Sequence, residues 1–424
     1  MDVRSAYTNQ SWLTPRPQVA QGQDDQKPVR DEATEQIQRA LSEVLRCQNL
    51  VVLAGLGTSL CVMDAANPPQ RKAPTMAALW QRVKAACGPE EQGVWDALLR
   101  MVNHQEGREN IEELLSECKV AEAFYGEAVP KALTTFVALA EKEIRLAVNF
   151  LDEGEEVPVH GAFLRRIARR SSGKGRVKIF TTNYDLCFER AAQDGRFVVI
   201  DGFSPTLPPT FDPVYFTYDI VRRGSDGDAS AFIPNVFHLY KLHGSIDWER
   251  CERDIEKKSG TEKPLLIYPR SSKYEQAFSQ PYLEMMAALQ AALREPNTGL
   301  LIVGFGFNDN HVAEPILSAI RSNLGLKVVV VDPALVKIED GHRYVRQGGD
   351  QDDLNENGDL EEVGTAVTNA FINNIQRLID QGDARLTLLN GTFEDMTREM
   401  PDLTAETDLE KHMSRLRVIE GGEA

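Results

Sequence analysis

Short apolar runs and helical patterns alternate along most of this chain. Val- and Ile-rich runs, which predict buried strands, lie at 50–54, 177–182, 197–200, 238–242, 265–268, 299–303, 327–331 and 386–389. Apolar residues spaced three and four apart predict helices at 32–45, 184–193, 279–294, 311–323 and 365–379. Apolar strands that alternate with helices are typical of an α/β fold whose parallel sheet is covered on both faces. The pattern therefore predicts a doubly wound parallel sheet.

A long central region departs from this alternation. Between residues 75 and 172 the chain has almost no strand pattern, and apolar residues such as Trp80, Leu114 and Phe136 recur at helical spacing. We therefore predict a helical insertion over 75–172, within a domain that spans 30–400. Residues 1–29 are rich in Gln, Pro and Asp, which predicts a flexible tail. The segment 401–424 is predicted to form a C-terminal helix and tail.

Composition narrows the class of protein. The chain has 424 residues and a formal net charge of −17, from 47 basic and 64 acidic residues. This charge argues against broad affinity for nucleic acid, which depends on neutralising phosphates, so direct nucleic-acid binding is not expected. No apolar run approaches the roughly 20 residues needed to span a bilayer, and the first residues do not have the pattern of a secretory signal. We expect a cytoplasmic protein without membrane contact.

The cysteines give no indication of a metal site. The six cysteines are scattered, and no two of them form a Cys-x-x-Cys pair. A structural zinc site needs clustered thiolates or imidazoles to complete its tetrahedron, and paired spacing is the usual way for a sequence to supply them. We therefore expect buried thiols and no bound metal.

Polar side chains follow two of the predicted strands at the point where each strand ends. Asn183 and Asp185 follow the run 177–182, and His243 follows the run 238–242. Ligands of an open parallel sheet lie outside the carboxyl ends of its strands, so both runs direct polar groups toward one crevice. For Asn183 and Asp185 there is an alternative, since Asn and Asp commonly cap a helix such as the one predicted at 184–193.

Glycine-rich turns follow two other predicted strands. Gly55 and Gly57 come directly after the first strand, with Ser59 close behind, and Gly304 follows the run 299–303. Glycines at such a turn allow a diphosphate to approach backbone N–H groups. The general Gly-x-Gly-x-x-Gly fingerprint fails here because Leu60 occupies the third glycine position.

Together these segments resemble the sirtuin superfamily, in its NAD-consuming bacterial branch. Three patterns carry the resemblance: Gly-x-Gly-x-Ser at Gly55, Gly57 and Ser59; Thr-x-Asn-x-Asp at Thr181, Asn183 and Asp185; and Gly-x-x-Phe-x-Asp at Gly304, Phe307 and Asp309. His243, in Leu242-His243-Gly244, is the fourth match. The resemblance implies a Rossmann-like sheet that binds NAD as a substrate.

The resemblance also implies roles for individual residues. Asn183 would contact the nicotinamide ribose or the attacking water, and His243 would be the catalytic base. Asp185 would hold the nicotinamide side of the pocket, while the glycine turns, Ser59, Phe307 and Asp309 would bind the rest of the nucleotide. The implied activity is that of an NAD glycohydrolase, which releases nicotinamide and ADP-ribose.

Two other functions stay open at this point. An NAD-dependent protein deacylase would use the same pocket, but deacylating sirtuins carry a four-cysteine domain, and Cys251 stands alone in the corresponding region. A non-catalytic nucleotide-binding assembly module is the third reading, and the joint presence of Asn183, Asp185 and His243 argues against it. NADP remains an alternative substrate, since no acidic residue is assigned to the 2′-hydroxyl of the ribose.

Relatives of this branch resemble effectors of bacterial anti-phage defence that deplete NAD. Many of them are fused to a sensor, and none is apparent in this sequence, so we expect a separate activating partner. Chains of similar size and layout accompany HerA-type hexameric ATPases, and a short Argonaute or another sensor is the alternative partner. We also expect a homo-oligomer.

Overall fold

The structure, a computed structural model, describes residues 1–8, 12–15, 31–87, 92–105, 107–168, 170, 173–222, 231–266, 280–335, 337–339, 342–344 and 369–401. The strands are β1 (Asp2–Ser5), β2 (Asn49–Ala54), β3 (Val177–Thr181), β4 (Val198–Ile200), β5 (Val221–Arg222), β6 (Ala231–Phe232), β7 (Val236–Lys241), β8 (Gly244–Ser245), β9 (Trp248–Cys251), β10 (Asp254–Lys257), β11 (Leu265–Leu266), β12 (Thr298–Val303), β13 (Lys327–Val331), β14 (Lys337–Glu339), β15 (His342–Tyr344) and β16 (Leu386–Asn390). The helices are α1 (Glu32–Leu45), α2 (Met76–Ala86), α3 (Gln92–Met101), α4 (Ile111–Tyr125), α5 (Lys131–Val148), α6 (Pro158–Ile167), α7 (Cys187–Gly195), α8 (Tyr282–Arg294), α9 (Asn310–Ser322), α10 (Ala370–Asp380) and α11 (Phe393–Glu399).

Eight of the strands form the central sheet, in the order β1-β16-β13-β12-β2-β3-β7-β4. All neighbouring pairs are parallel except β1 and β16. From β2 the chain builds the sheet outward through β3 and β7, and then returns to the other side of β2 with β12. The predicted α/β fold with a Rossmann-like parallel sheet is confirmed, and the order of its strands reverses direction between β2 and β12.

Both faces of the sheet are buried, as the continuous apolar strands predict. Successive side chains of a strand point to opposite faces. Accordingly, Val51 and Leu53 pack with α8, α9 and α10, whereas Val52 and Ala54 pack with α1, α6 and α7. Burial of an apolar side chain of this size stabilises the fold by about 1.5–3 kcal/mol. Polar groups are therefore left to the strand ends.

The first residues of the chain correct the prediction of a flexible tail over 1–29. Asp2–Ser5 is a strand that pairs antiparallel with Thr387–Asn390, and Val3 is fully buried. Val3 also exchanges two backbone hydrogen bonds with Leu13, each of 2.9 Å. The alternation in this short segment is too brief to indicate a strand by itself. The predicted tail is wrong for these residues, and residues 16–30 lie outside the described part of the chain.

The helical insertion is present, but it ends earlier than predicted. Helices α2 to α5 share an apolar cluster of their own, centred on residues such as Trp80, Leu114 and Ile144. The last helix of the predicted span, α6, instead packs against α7 and α11, in the layer that covers the sheet. The predicted boundary at 172 is therefore wrong, because helical spacing does not reveal which layer a helix joins. The predicted helix and tail at 401–424 lie outside the described residues, except for Pro401.

Two local differences concern the regions near the strand ends. Helix α7 begins at Cys187 rather than at residue 184, because residues 182–186 form a loop at the sheet edge. Of the predicted strand at 265–268, the described residues Leu265–Leu266 form β11, which pairs with β8 outside the central sheet, and residues 267–268 lie outside the described part of the chain. Within the described residues, no helix combines the length and the hydrophobicity needed to cross a membrane. In the same part of the chain, no three His, Cys, Asp or Glu side chains converge as metal ligands.

Candidate functional site

A cavity of about 410 Å³ lies outside the carboxyl ends of the central strands. We name the side that belongs to the sheet edge the floor; it is lined by Leu56, Gly57, Leu60, Thr182, Asn183, Tyr184, Asp185, His243, Gly304, Phe305, Gly306, Asn308, Asp309, Asp332 and Pro333. We name the opposite side the roof; it is lined by Ala73, Pro74, Met76, Leu79, Asn110, Glu112, Glu113, Val148 and Phe150. The cavity lies where the strand order reverses, which is the usual ligand position in an open α/β sheet.

Two glycine turns meet in the middle of the floor. The N–H of Gly55 donates to the carbonyl of Val303 at 3.0 Å, and the N–H of Gly57 donates to the carbonyl of Gly304 at 2.9 Å. A Cβ on Gly57 would lie 2.5 Å from Gly304 Cα, and Gly304 itself has a φ of +61°. The glycines are thus required by the close approach of the two turns to each other. Their N–H groups are already bonded within the protein, which differs from the predicted approach of a diphosphate to these amides.

Asn183 is tied to the first glycine turn. Its Nδ2 lies 3.0 Å from the carbonyl of Gly55, 3.2 Å from Thr58 Oγ1 and 2.8 Å from Ser59 Oγ. The residue lines the cavity and is only 9% exposed. Because three acceptors surround its amide, the side chain of Asn183 has one fixed orientation. Helix capping is not its role, since the helix begins four residues later.

Asp185 takes part in both of the roles that the sequence leaves open. One carboxylate oxygen accepts a hydrogen bond from Ser59 Oγ at 2.7 Å, and the other accepts one from the N–H of Cys187 at 3.0 Å. The second bond satisfies the first turn of α7, as a helix cap does. Asp185 also lines the cavity, whereas Ser59 lies behind it and links Asp185 to Asn183.

His243 and Asp309 form a hydrogen-bonded pair in the floor. The Nε2 of His243 lies 3.0 Å from a carboxylate oxygen of Asp309, and His243 is 5% exposed. Burial raises the pKa of Asp309, but the hydrogen bond and charge of His243, with help from the backbone and side chain of His311, lower that pKa overall. Asp309 also accepts a hydrogen bond from the N–H of His311 and so caps α9. The carboxylate therefore stays ionised and fixes the imidazole.

Three of the predicted nucleotide-binding residues do not line the cavity. Gly55 and Ser59 lie directly behind the floor, where they hold Asn183. Phe307 stacks on Phe371, with ring centroids 3.9 Å apart, and it is part of the apolar core. Its neighbour Phe305 lines the cavity instead. Gly57, Asn183, Asp185, His243, Gly304 and Asp309 are brought together, as the sequence predicts.

Two residues, one in the cavity lining and one behind it, escape the sequence patterns. Tyr184 joins floor and roof, because its hydroxyl donates to Glu112 of α4 at 2.9 Å. Lys241 ends the buried strand β7, is 2% exposed, and bonds to the backbone of the loop that carries Asn183. For Lys241 a signal was present, since it is the charged end of an otherwise apolar run. For the contact between Tyr184 and Glu112, the sequence holds no signal.

The arrangement of the floor suits the transfer of a proton. A buried imidazole paired with an ionised carboxylate is able to accept a proton, because the carboxylate stabilises the imidazolium that forms. The fixed amide of Asn183 lies in the same floor, and apolar roof residues such as Met76, Leu79 and Phe150 face it. The chemistry is thus concentrated at the ends of β3, β7 and β12.

Part of the chain is similar to a known protein family. Residues 177–347 match the family model described as a SIR2-like domain. This span contains Asn183, Asp185, His243, Gly304 and Asp309, whereas the first glycine turn precedes it. The predicted likeness to the sirtuin superfamily is confirmed. The branch within the superfamily and the partner stay predictions.

Solved structures of Sir2 proteins are also similar to this chain. One is a serine-to-alanine variant of a Sir2 homologue in complex with ADP-ribose, and its sequence is 12% identical to this chain. The alignment covers 89% of this chain and 97% of the Sir2 homologue, with a TM-score of 0.39. Another is a histidine-to-alanine variant of Sir2 with a deacetylated p53 peptide and 3′-O-acetyl ADP-ribose, 11% identical, covering 86% of this chain and 96% of that chain with a TM-score of 0.36. A search of curated protein sequences found no match to the chain.

Proposed function

We propose that this chain, through its SIR2-like domain, hydrolyses the bond between ribose and nicotinamide in NAD. The observation that carries the proposal is the convergence of Asn183 and the His243–Asp309 pair in one cavity at the reversal point of the sheet. The cavity volume of about 410 Å³ falls within the usual range for sites that bind small molecules and cofactors. NAD is the substrate, and the products are nicotinamide and ADP-ribose.

The bond to be broken determines what the residues do. The C1–N bond breaks with its electron pair leaving on nicotinamide, and the ribose passes through an oxocarbenium-like state. A water oxygen forms the new bond to C1, and His243 accepts the proton that this water releases. Asp309 stabilises the resulting imidazolium, as its 3.0 Å contact with His243 allows. Asn183 holds the ribose or the water in place, so that one NAD and one water give nicotinamide, ADP-ribose and one proton.

The roof contributes by keeping other water away from the cation. Its apolar residues, which include Met76, Leu79, Val148 and Phe150, cover the floor from the side of the insertion. In a site from which water is excluded, the interactions between the ribose and the fixed polar groups are stronger. We therefore assign the chemistry to the floor and the exclusion of solvent to the roof.

Turnover of NAD by the purified chain tests the proposal. Wild type, Asn183→Ala and His243→Ala are compared by chromatography of nicotinamide and ADP-ribose, with and without a HerA-type ATPase. We expect the two variants to lose activity by about 10³-fold or more, as is typical when a catalytic acid–base or positioning group is removed. His238→Gln is the matched control, because His238 is a buried histidine of β7 that lies outside the cavity.

The same assay distinguishes hydrolysis from deacylation. Release of nicotinamide in the absence of any acyl-lysine peptide supports the glycohydrolase. Turnover that appears only when such a peptide is added would instead establish a deacylase. Wild type that binds ADP-ribose but shows no turnover in any combination would leave the nucleotide-binding module as the function.

We further propose that the activity depletes NAD in bacterial anti-phage defence, with a separate activating partner and as a homo-oligomer. The proposal rests on the resemblance of the motifs at Asn183, His243 and Asp309 to the NAD-consuming branch. Light scattering of the chain alone and with a HerA-type ATPase measures both assemblies. The assignment would be contradicted if the chain is a monomer, does not bind the ATPase, and hydrolyses NAD at the same rate with and without the ATPase.

A further inference from the structure

Lys241 is a charged side chain in the interior of the protein. It is the last residue of β7, all of whose residues are buried, and it is 2% exposed. Removing an ammonium group from water costs several kcal/mol unless hydrogen bonds and opposite charge replace the solvent. The partners of Lys241 therefore show what its burial achieves.

Those partners belong to one loop and to the helix that follows it. The Nζ of Lys241 donates to the carbonyl of Asp185 at 2.5 Å and contacts the carbonyl of Tyr184 at 3.4 Å. Its third partner is a carboxylate oxygen of Glu189, on α7, at 3.0 Å. An ammonium group has three donors, and here each of them meets an acceptor.

Further charges surround this pair behind the floor. Burial raises the pKa of Glu189, against the lowering effect of Lys241, and the nearby charge of Asp247 raises it further. Lys257 lies close by and is paired with Asp201. None of these five side chains lines the cavity. They form an ionic cluster, which we define as Lys241, Glu189, Asp247, Lys257 and Asp201, in which Lys241 is buried and the other four residues are partly exposed.

The two carbonyls that Lys241 holds belong to residues 184 and 185, directly after Asn183. Because the peptide units on either side of an α-carbon share only two soft torsions, fixing these carbonyls limits where the preceding side chain points. The first glycine turn accepts a hydrogen bond from the side-chain amide of Asn183, and Lys241 bonds to the backbone of the same loop. The positive charge at the end of β7 thus meets both the loop carbonyls and the carboxylate of Glu189.

We propose that Lys241 is a positioning residue that holds Asn183 in its catalytic orientation. The inference rests on the proposed function for its kinetic consequences, although the anchoring itself does not depend on catalysis. For stability alone a pair of apolar residues at 241 and 189 would serve, because replacing both members of a buried ion pair by apolar groups of similar volume is often neutral or stabilising. The charge at position 241 therefore serves the geometry of the loop.

Substitution of Lys241 by methionine, which has a similar length and no charge, is the central test. We expect kcat to fall by about 100-fold, since misplacing a catalytic group by about 1 Å costs that much. KM should change by less than about threefold, because the other cavity contacts remain, and such a split marks an interaction made mainly in the transition state. Lys241→Arg, which keeps the charge and several donors, should recover most of the activity.

A double substitution shows whether Lys241 acts through Asn183. If it does, adding Lys241→Met to Asn183→Ala lowers kcat by less than about threefold, because residues that act as a unit are not additive. A full additional 100-fold loss would overturn the proposal. Equal kcat for Lys241→Met and wild type, per folded molecule, would also overturn it.

Hydrogen exchange gives a readout that does not need turnover. In Lys241→Met, the amides of residues 183–187 should exchange more than about tenfold faster, while those of β2 and β12 keep their protection. Unchanged exchange at 183–187 would overturn the inference, and this holds even if wild type proves unable to hydrolyse NAD. If Lys241→Met fails to fold, the double variant Lys241→Met/Glu189→Gln, which leaves no unpaired carboxylate, provides the second test, with faster exchange in the same segment expected and unchanged exchange overturning the anchoring.

Discussion

The floor and the roof of the cavity are built in different ways. The floor is held by backbone and short side chains, as where Gly57 donates to Gly304 and where Asn183 bonds to the first glycine turn. Most of the roof belongs to helices α2, α4 and α5, which share an apolar cluster that Tyr184 and Ile246 also join, whereas Phe150 packs against the cluster that covers the sheet. The floor thus has little freedom to change, whereas most of the roof is held by packing within the helices α2 to α5.

This difference assigns different tasks to the two regions. Catalytic groups must be held to within a fraction of an ångström, and the floor does this with contacts that leave no space for an added methyl group. A cover must exclude solvent and also let the substrate in, which a separately packed body is able to do. Substitutions in the floor should therefore affect folding and kcat, and substitutions in the roof should affect binding.

The largest effect is expected from Gly304→Ala. A Cβ at this position would lie 2.5 Å from Gly57 Cα and 2.8 Å from the backbone N of Thr58, where no flexible side chain is able to move away. Because the added Cβ would clash and the positive φ of Gly304 would be strained in alanine, we expect the free energy of unfolding to fall by roughly 4 kcal/mol, or the variant to fail to fold. Gly107→Ala in the insertion is the matched control, since Gly107 has a φ of +80° and nothing within 4 Å of the added atom. Urea unfolding of both variants measures the difference, and equal losses would show that the two turns do not need their close contact.

The next effect concerns His160 and the dependence of the free energy of unfolding on pH. His160 is fully buried between the rings of Phe188 and Phe393, and burial lowers its pKa to about 4. An unfolded histidine has a pKa near 6.5, so between pH 6.5 and 4 the unfolded chain binds a proton that the folded chain does not. The contribution of His160 to stability is complete above pH 6.5 and falls by roughly 3 kcal/mol as the pH drops to 4.

His160→Phe should remove this part of the pH dependence. Between pH 7 and pH 5, wild type should lose about 2 kcal/mol more than the variant. Comparing each protein with itself at the two pH values cancels any change in packing that the larger ring causes. Parallel losses in the two proteins would mean that His160 is protonated in the folded state.

A smaller effect, on activity, is expected from Asp309→Asn. The amide keeps the volume and still caps α9, but it removes the charge that stabilises protonated His243. We expect kcat to fall by about 100-fold with little change in stability. The matched control is Asp395→Asn, since Asp395 accepts hydrogen bonds from the N–H and the hydroxyl of Thr392 at the start of α11 and is not among the residues that line the cavity. If Asp309→Asn kept the activity of wild type, His243 would not need a carboxylate partner.

The smallest effect is expected where roof and floor meet. Tyr184→Phe removes the hydrogen bond to Glu112 and should raise KM by roughly fivefold while kcat stays the same, since one such bond is worth about 1 kcal/mol. Tyr218→Phe is the control, because Tyr218 is 55% exposed and lies outside the cavity. A fall in kcat without a change in KM would place Tyr184 among the floor's catalytic groups, and the division between the two regions would not hold.

The floor could be predicted from the sequence to a greater extent than the roof. Apolar strands that end in polar groups located Asn183, Asp185 and His243 at one sheet edge, since strand periodicity and parallel order follow from local patterns. The partner of the first glycine turn could not be predicted, because Gly57 meets Gly304 only after the intervening chain has folded. The bond from Tyr184 to Glu112 and the burial of Lys241 depend on tertiary packing, which single-residue propensities do not contain.

The contact between Gly57 and Gly304 also determines when during synthesis the site is able to exist. A ribosome that adds about 5–20 residues per second makes the turn at 304 roughly 10–50 s after the turn at 57. Until then β2 lacks β12, its neighbour on one side, and the floor lacks half of its central contact. Nascent chains stalled before residue 298 are expected to show no NAD turnover. With the proposed function, the nascent chain would thus be unable to hydrolyse NAD until most of it has been made.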